Sequence, residues 1–116
     1  MRQSVNLTNT RYVSYIDNGI VKFNLSAWLG GFDDQDDDAR VSVIFLDQIN
    51  QMVGNQTTIG AVLAVDRRYQ TSLLFRQATG LVPVGARSFT VLVEITRLEG
   101  QWNDGAVDNI AMYFYQ

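Results

Sequence analysis

Two short segments hold most of the residues able to do chemistry. The first is Asp33-Asp34-Gln35-Asp36-Asp37-Asp38, which sets five carboxylates within six residues. Neighbouring like charges repel by roughly 1 kcal/mol at 4 Å in water and by more beside a protein. A hard cation with oxygen ligands relieves that repulsion, and Ca²⁺ takes about six to eight such ligands. The spacing is not that of an EF-hand, because no glycine holds the sixth position and no glutamate closes the loop. The expected ligands are Asp36, Asp38, Asp104 and Asp108. The alternative is a solvated acidic turn that keeps two strands soluble and apart.

The second segment is Gly100-Gln101-Trp102-Asn103-Asp104-Gly105-Ala106-Val107-Asp108-Asn109. Asn and Asp present the donors and acceptors that sugar hydroxyls use, and an indole face suits the apolar C–H face of a pyranose. Trp102, Asn103 and Asp104, with Trp28, are therefore the expected sugar ligands. Asn-Asp-Gly is also a turn former, so the same residues could only close a loop. Trp28, Tyr113 and Tyr115 point away from the expected core and could form a stacking platform or be covered by a partner. A carboxylate pair of Asp104 with Glu94 or Asp108 would suit glycoside hydrolysis, but nothing in the spacing singles it out.

Composition narrows the chemistry further. The chain has no cysteine and no histidine, and Lys22 is its single lysine. Disulfides, thiolate sites, histidine triads and histidine metal sites are excluded together. A net charge of -3 argues against a nucleic-acid surface. No apolar run approaches the ~20 residues of a membrane helix, and Met1-Arg2-Gln3-Ser4-Val5-Asn6 does not read as a signal peptide. Three triplets, at Asn6, Asn24 and Asn55, match the N-glycosylation pattern. The composition is expected of a binding or structural module rather than an enzyme.

The elements that must position these residues read as strands. Val21, Phe23, Leu25, Ala27 and Leu29 alternate with Lys22, Asn24, Ser26 and Trp28. Such period-two alternation marks a strand with one buried face. The same holds for Arg40–Asp47, with Val41, Val43 and Phe45 inward, and for Arg87–Leu98, with Phe89, Val91, Val93 and Ile95 inward. Asn109–Tyr115 closes the chain, with Ile110, Met112 and Phe114 inward. Weaker signals cover Gln3–Leu7, Thr57–Val65 and Gln70–Gln77, and a short helix is the alternative for Leu46–Val53. Strands at such spacing, separated by Gly, Asn and Asp turns, predict one all-β domain over residues 1–116, an antiparallel two-sheet β-sandwich.

Taken together, Ser26-Ala27-Trp28-Leu29-Gly30-Gly31-Phe32, Asp38 to Asp47, Asp66-Arg67, Thr71 to Arg76 and Gly80-Leu81-Val82-Pro83 resemble a galactose-binding-domain-like jelly roll. Gly85 to Ser88, Thr96 to Gly100 and Asn103 to Asn109 continue the resemblance. It implies a non-catalytic, extracellular sandwich that binds sugars or protein surfaces. It also implies a structural Ca²⁺ held partly by an acidic residue of the last strand, here Asp108. Members of the group carry a further N-terminal stretch ahead of the segment matching Gln3-Ser4-Val5, whereas this sequence starts at Met1.

The expected function is thus recognition of a carbohydrate or glycoprotein by loops at one end of the sandwich, without catalysis, nucleic acid or membrane. The alternative is an assembly module that meets a partner through a sheet edge and its aromatic face. Because Ile110-Ala111-Met112-Tyr113-Phe114-Tyr115 has neither charge nor proline, the terminal strand is a poorly protected edge, and a homo-oligomer is expected.

Overall fold

The computed structural model describes residues 2–8, 12–31, 38–60, 68, 72–96 and 106–116, without the side chains at 31, 38, 72, 95, 96 and 106–109. Among the described residues, seven strands and one short helix run in the order β1 (Arg2–Asn6), α1 (Tyr12–Asp17), β2 (Lys22–Gly31), β3 (Asp38–Leu46), β4 (Thr57–Ile59), β5 (Ser72–Leu81), β6 (Ser88–Thr96) and β7 (Ala106–Tyr115). They form a four-stranded sheet, β1-β6-β3-β4, and a three-stranded sheet, β5-β2-β7. Every pairing is antiparallel. The chain is therefore an all-β sandwich.

Alternation in the sequence becomes burial. Phe23, Leu25, Ala27 and Leu29 of β2 face Val41, Val43 and Phe45 of β3, and all seven are buried. Three rings staple the sheets: Phe45 lies 5.3 Å from Phe23 and 6.2 Å from Phe89, centre to centre. Tilted rings at such distances add to area burial. Asn24 and Ser26 point to the other side of β2, yet they are buried as well, because β2 has β5 on one flank and β7 on the other.

Four residues expected inward are only half-buried: Val91, Ile110, Met112 and Phe114. For the first three the unequal strand number is the reason. On the β1 side the four-stranded sheet extends past β7, so Val91, Ile110 and Met112 lie along an opening rather than under a second layer.

The short helix that was the alternative for Leu46–Val53 does not form, and the segment is a turn. The Asp47 carboxylate accepts hydrogen bonds from the amides of Ile49 and Gln51, both at 3.0 Å. Asn50 takes a positive φ of 64°, and Val53 N donates back to Phe45 O. An aspartate that bonds its own backbone this way competes with helix formation. The helix that does form, α1, has six residues and buries only Ile16. It stops at Gly19, whose φ of +71° is one that glycine adopts without strain. Among the described residues no helix is long and apolar enough to cross a membrane.

Candidate functional site

Strand register sets out the outer face of the three-stranded sheet row by row. Lys22 of β2 lies between Leu81 of β5 and Tyr115 of β7. Asn24 lies between Thr79 and Tyr113, and Ser26 between Gln77 and Ala111. Trp28 lies between Phe75 and Asp108. Side chains two residues apart share a face, so β2 alone builds a central Lys-Asn-Ser-Trp column. A sheet face turned only to water would be expected to carry charge on several strands. Here the described outward side chains include a single charged group, Lys22.

The aromatic residues fall into two pairs. Trp28 and Phe75 pack edge to face with centroids 5.5 Å apart, and they stay 40% and 43% exposed. Tyr113 and Tyr115 stand 6.2 Å apart and remain 53% and 39% exposed. Amides and hydroxyls occupy the space between the pairs. Asn24 Nδ2 donates to Gln77 Oε1 at 3.3 Å. That bond uses one donor of Asn24 and one acceptor of Gln77, so the pair retains Asn24 Oδ1 as acceptor and the Gln77 amide as donor. From Asn24 to Trp28 is four residues of strand, roughly 13 Å. The face can therefore hold an extended ligand with apolar patches at both ends and hydroxyls in the middle.

A bulge sits between the two pairs. Ser26 faces Ala111 but Trp28 faces Asp108, so Ala27 alone stands opposite both Asn109 and Ile110. Extra residues of this kind kink a strand and raise its local twist. The kink falls on β7, while β2 keeps its alternation and holds Trp28 outward.

Of the expected sugar ligands, Trp28 is on this face, while Trp102, Asn103 and Asp104 lie outside the described residues. Asp36 lies outside them too. Asp38 opens β3 opposite Thr96 in one sheet, and Asp108 pairs with Trp28 in the other. Among the described residues no group of three or more acidic, histidine or cysteine side chains could hold a metal ion. Asp17 and Asp47 serve the fold: Asp17 binds Arg87 and the Gly85 amide, and Asp47 binds its own turn. Phe75, Gln77 and Thr79 were not read as site residues. Their signal is the alternation Leu73, Phe75, Gln77, Thr79, which becomes legible once β5 is paired with β2.

No family model matches the chain, and no curated protein matches it. Among solved structures, it is similar to the enzymatically active domain of tailspike protein 4 from bacteriophage CBA120, with a TM-score of 0.64 and 17% sequence identity. The match covers 98% of this chain and 13% of that one. At that identity the likeness bears on the two-sheet architecture, and not on membership of the galactose-binding-like group. It also corrects the expectation that the chain is not an enzyme, since this fold occurs within a domain that is enzymatically active. The composition argument was too broad. Lack of histidine and cysteine removes triads and thiolates, but hydrolysis by two carboxylates needs neither.

Proposed function

We propose that the outer face of β5-β2-β7 binds carbohydrate, with Trp28–Phe75 and Tyr113–Tyr115 as stacking surfaces and Asn24, Gln77 and Thr79 as hydroxyl partners. The observation that carries the reading is the arrangement of an aromatic pair, an amide row and a second aromatic pair on one sheet face. Exposed rings offer apolar area to the C–H faces of sugar rings. Amides offer donor and acceptor together, as a hydroxyl requires. An open sheet face of this kind suits an oligosaccharide lying along β2 better than a small buried ligand. A face that holds a polymer while other groups act on it is compatible with the likeness to an enzymatically active tailspike domain.

A glycan array followed by titration of the best ligand tests this. The expected result is weak binding that shifts tryptophan emission, is lost in Trp28→Ala and Tyr113→Ala, and survives in Trp102→Ala. Binding lost in Trp102→Ala and retained in Trp28→Ala would move the site to the loop. Absence of any glycan ligand, with the tyrosines protected by self-association, would make the face an assembly surface.

A further inference from the structure

Lys22 stands on the outer face of β5-β2-β7 in a place that solubility does not explain. Charges that protect a sheet from unwanted pairing sit on edge strands. Lys22 instead opens β2, the middle strand, with Leu81 of β5 on one side and Tyr115 of β7 on the other. Both neighbours are exposed, at 60% and 39%, so the cation is flanked by apolar side chains. Among the described residues no carboxylate pairs with it. Arg76, the other described cation of this sheet, shares a row with the buried Ala27 and donates from Nη1 to Phe75 O at 2.9 Å.

Charge along β2 has a direction. Lys22 lies at the Tyr115 end of the column, two residues from Asn24. An acidic residue, Asp108, takes the register position across from Trp28 at the other end. From Lys22 to Trp28 is six residues of strand, roughly 20 Å. That is about twice the screening length of roughly 10 Å in 0.1 M salt, so a charge beside Lys22 is little affected by one beside Trp28.

Resting on the reading of this face as a carbohydrate site, we infer that its oligosaccharide carries a single anionic sugar, whose carboxylate or sulfate is set on Lys22 while neutral rings continue past Asn24 and Ser26 to Trp28. A lysine ammonium attracts an anion as a point charge and demands no planar approach. That suits an acid group carried at the rim of a ring seated on Tyr113 and Tyr115. The chain's net charge of -3 sets the number of acid groups. A polymer with an acid on every ring would be repelled by the protein as a whole and would bring an anion to the Asp108 position. One acid at the Tyr115 end meets only the local cation.

The test titrates the 116-residue protein calorimetrically with trisaccharides that end in one hexuronic acid, with the same sugars after carboxyl reduction to neutral hexose, and with those neutral sugars carrying one terminal sulfate. A charged form is expected to bind about two- to fivefold more tightly than its neutral counterpart, the scale of an exposed ion pair. Comparison of uronate with sulfate identifies the acid group. The preference is expected to vanish in Lys22→Gln, to persist in Lys22→Arg and to shrink in 1 M salt, where the screening length is about 3 Å. Trp28→Ala is expected to weaken charged and neutral forms alike. Equal binding of charged and neutral forms, with both lost in Trp28→Ala, would overturn this inference and leave the carbohydrate site standing. A preference that survives in Lys22→Gln would also overturn it. Binding of no form would overturn both readings.

Discussion

Arg87 grips Asp17 with both arms of its guanidinium: Nη1 donates to Oδ1 at 3.0 Å and Nη2 to Oδ2 at 2.6 Å. The pair joins the end of α1 to the turn before β6, seventy residues away, and the Gly85 amide adds a third bond to Oδ1 at 3.1 Å. Parallel, charge-assisted bonds of this form carry orientation as well as energy. They hold α1 across one end of the sandwich, with Tyr12 against Phe114.

The first prediction concerns pH. The Arg87 hydrogen bond holds the Asp17 carboxyl below its ordinary value of 3.8; partial burial opposes this, and the Gly85 amide and the Arg87 charge assist it. A carboxyl with a depressed folded-state pKa contributes stability above its unfolded-state value and loses it as pH falls through the folded-state value. Melting temperatures of the wild type and Asp17→Asn should therefore differ by a constant amount at neutral pH. The two should converge as pH falls below 3.8. A difference that persists unchanged in strong acid would show that the ion pair is not its source.

Phe45 is 1% exposed and touches rings from both sheets. Truncation removes a large buried surface and leaves a cavity. Phe45→Ala should cost about 3–5 kcal/mol in urea unfolding. A loss under about 1 kcal/mol would mean that Phe23 and Phe89 collapse into the space.

Gly60 has φ of +103°, and a Cβ there would lie 2.6 Å from the Ala39 carbonyl oxygen and 3.3 Å from the Arg40 Cα. Gly85 has a similar φ of +90° with nothing within 4 Å. Backbone strain of this kind costs about 1–3 kcal/mol. Both alanine variants should be destabilised, and Gly60→Ala by clearly more, because β3 backbone cannot yield as a side chain can. Equal midpoints in denaturant would remove the steric part of this account.

Phe75 separates binding from folding. Its contact with Trp28 is at the surface and it stays 43% exposed, so Phe75→Ala should cost less than the roughly 3–5 kcal/mol of a fully buried phenylalanine. If the outer face binds sugar, the same change should weaken the glycan as strongly as Trp28→Ala does. Unchanged affinity in a well-folded Phe75→Ala protein would confine the site to Trp28 and the tyrosines.

Period-two alternation was enough to identify β2, β3, β6 and β7 and to choose the buried face at Phe23, Val43 and Phe45. Those choices depend on neighbours two residues apart, whose contrast in polarity is written locally. The turn after Leu46 was harder to read, because Asp47 satisfies its own backbone where an apolar pattern suggested helix. Phe75 was missed as a site residue because its meaning lies in a strand forty-seven positions earlier: it is the partner of Trp28.

The sequence by itself determined the class of fold, the inward face of β2 and β3, and the exclusion of histidine and cysteine chemistry. Only the tertiary structure decided which strands are neighbours. That choice set Trp28 beside Phe75 and Tyr113 beside Asn24 on one face, and it left four strands packed against three with an opening along β7. The physical reason is that alternation specifies a face for each strand but not a partner. Partners follow from long-range backbone pairing and from the packing of the two sheets, which no local pattern encodes.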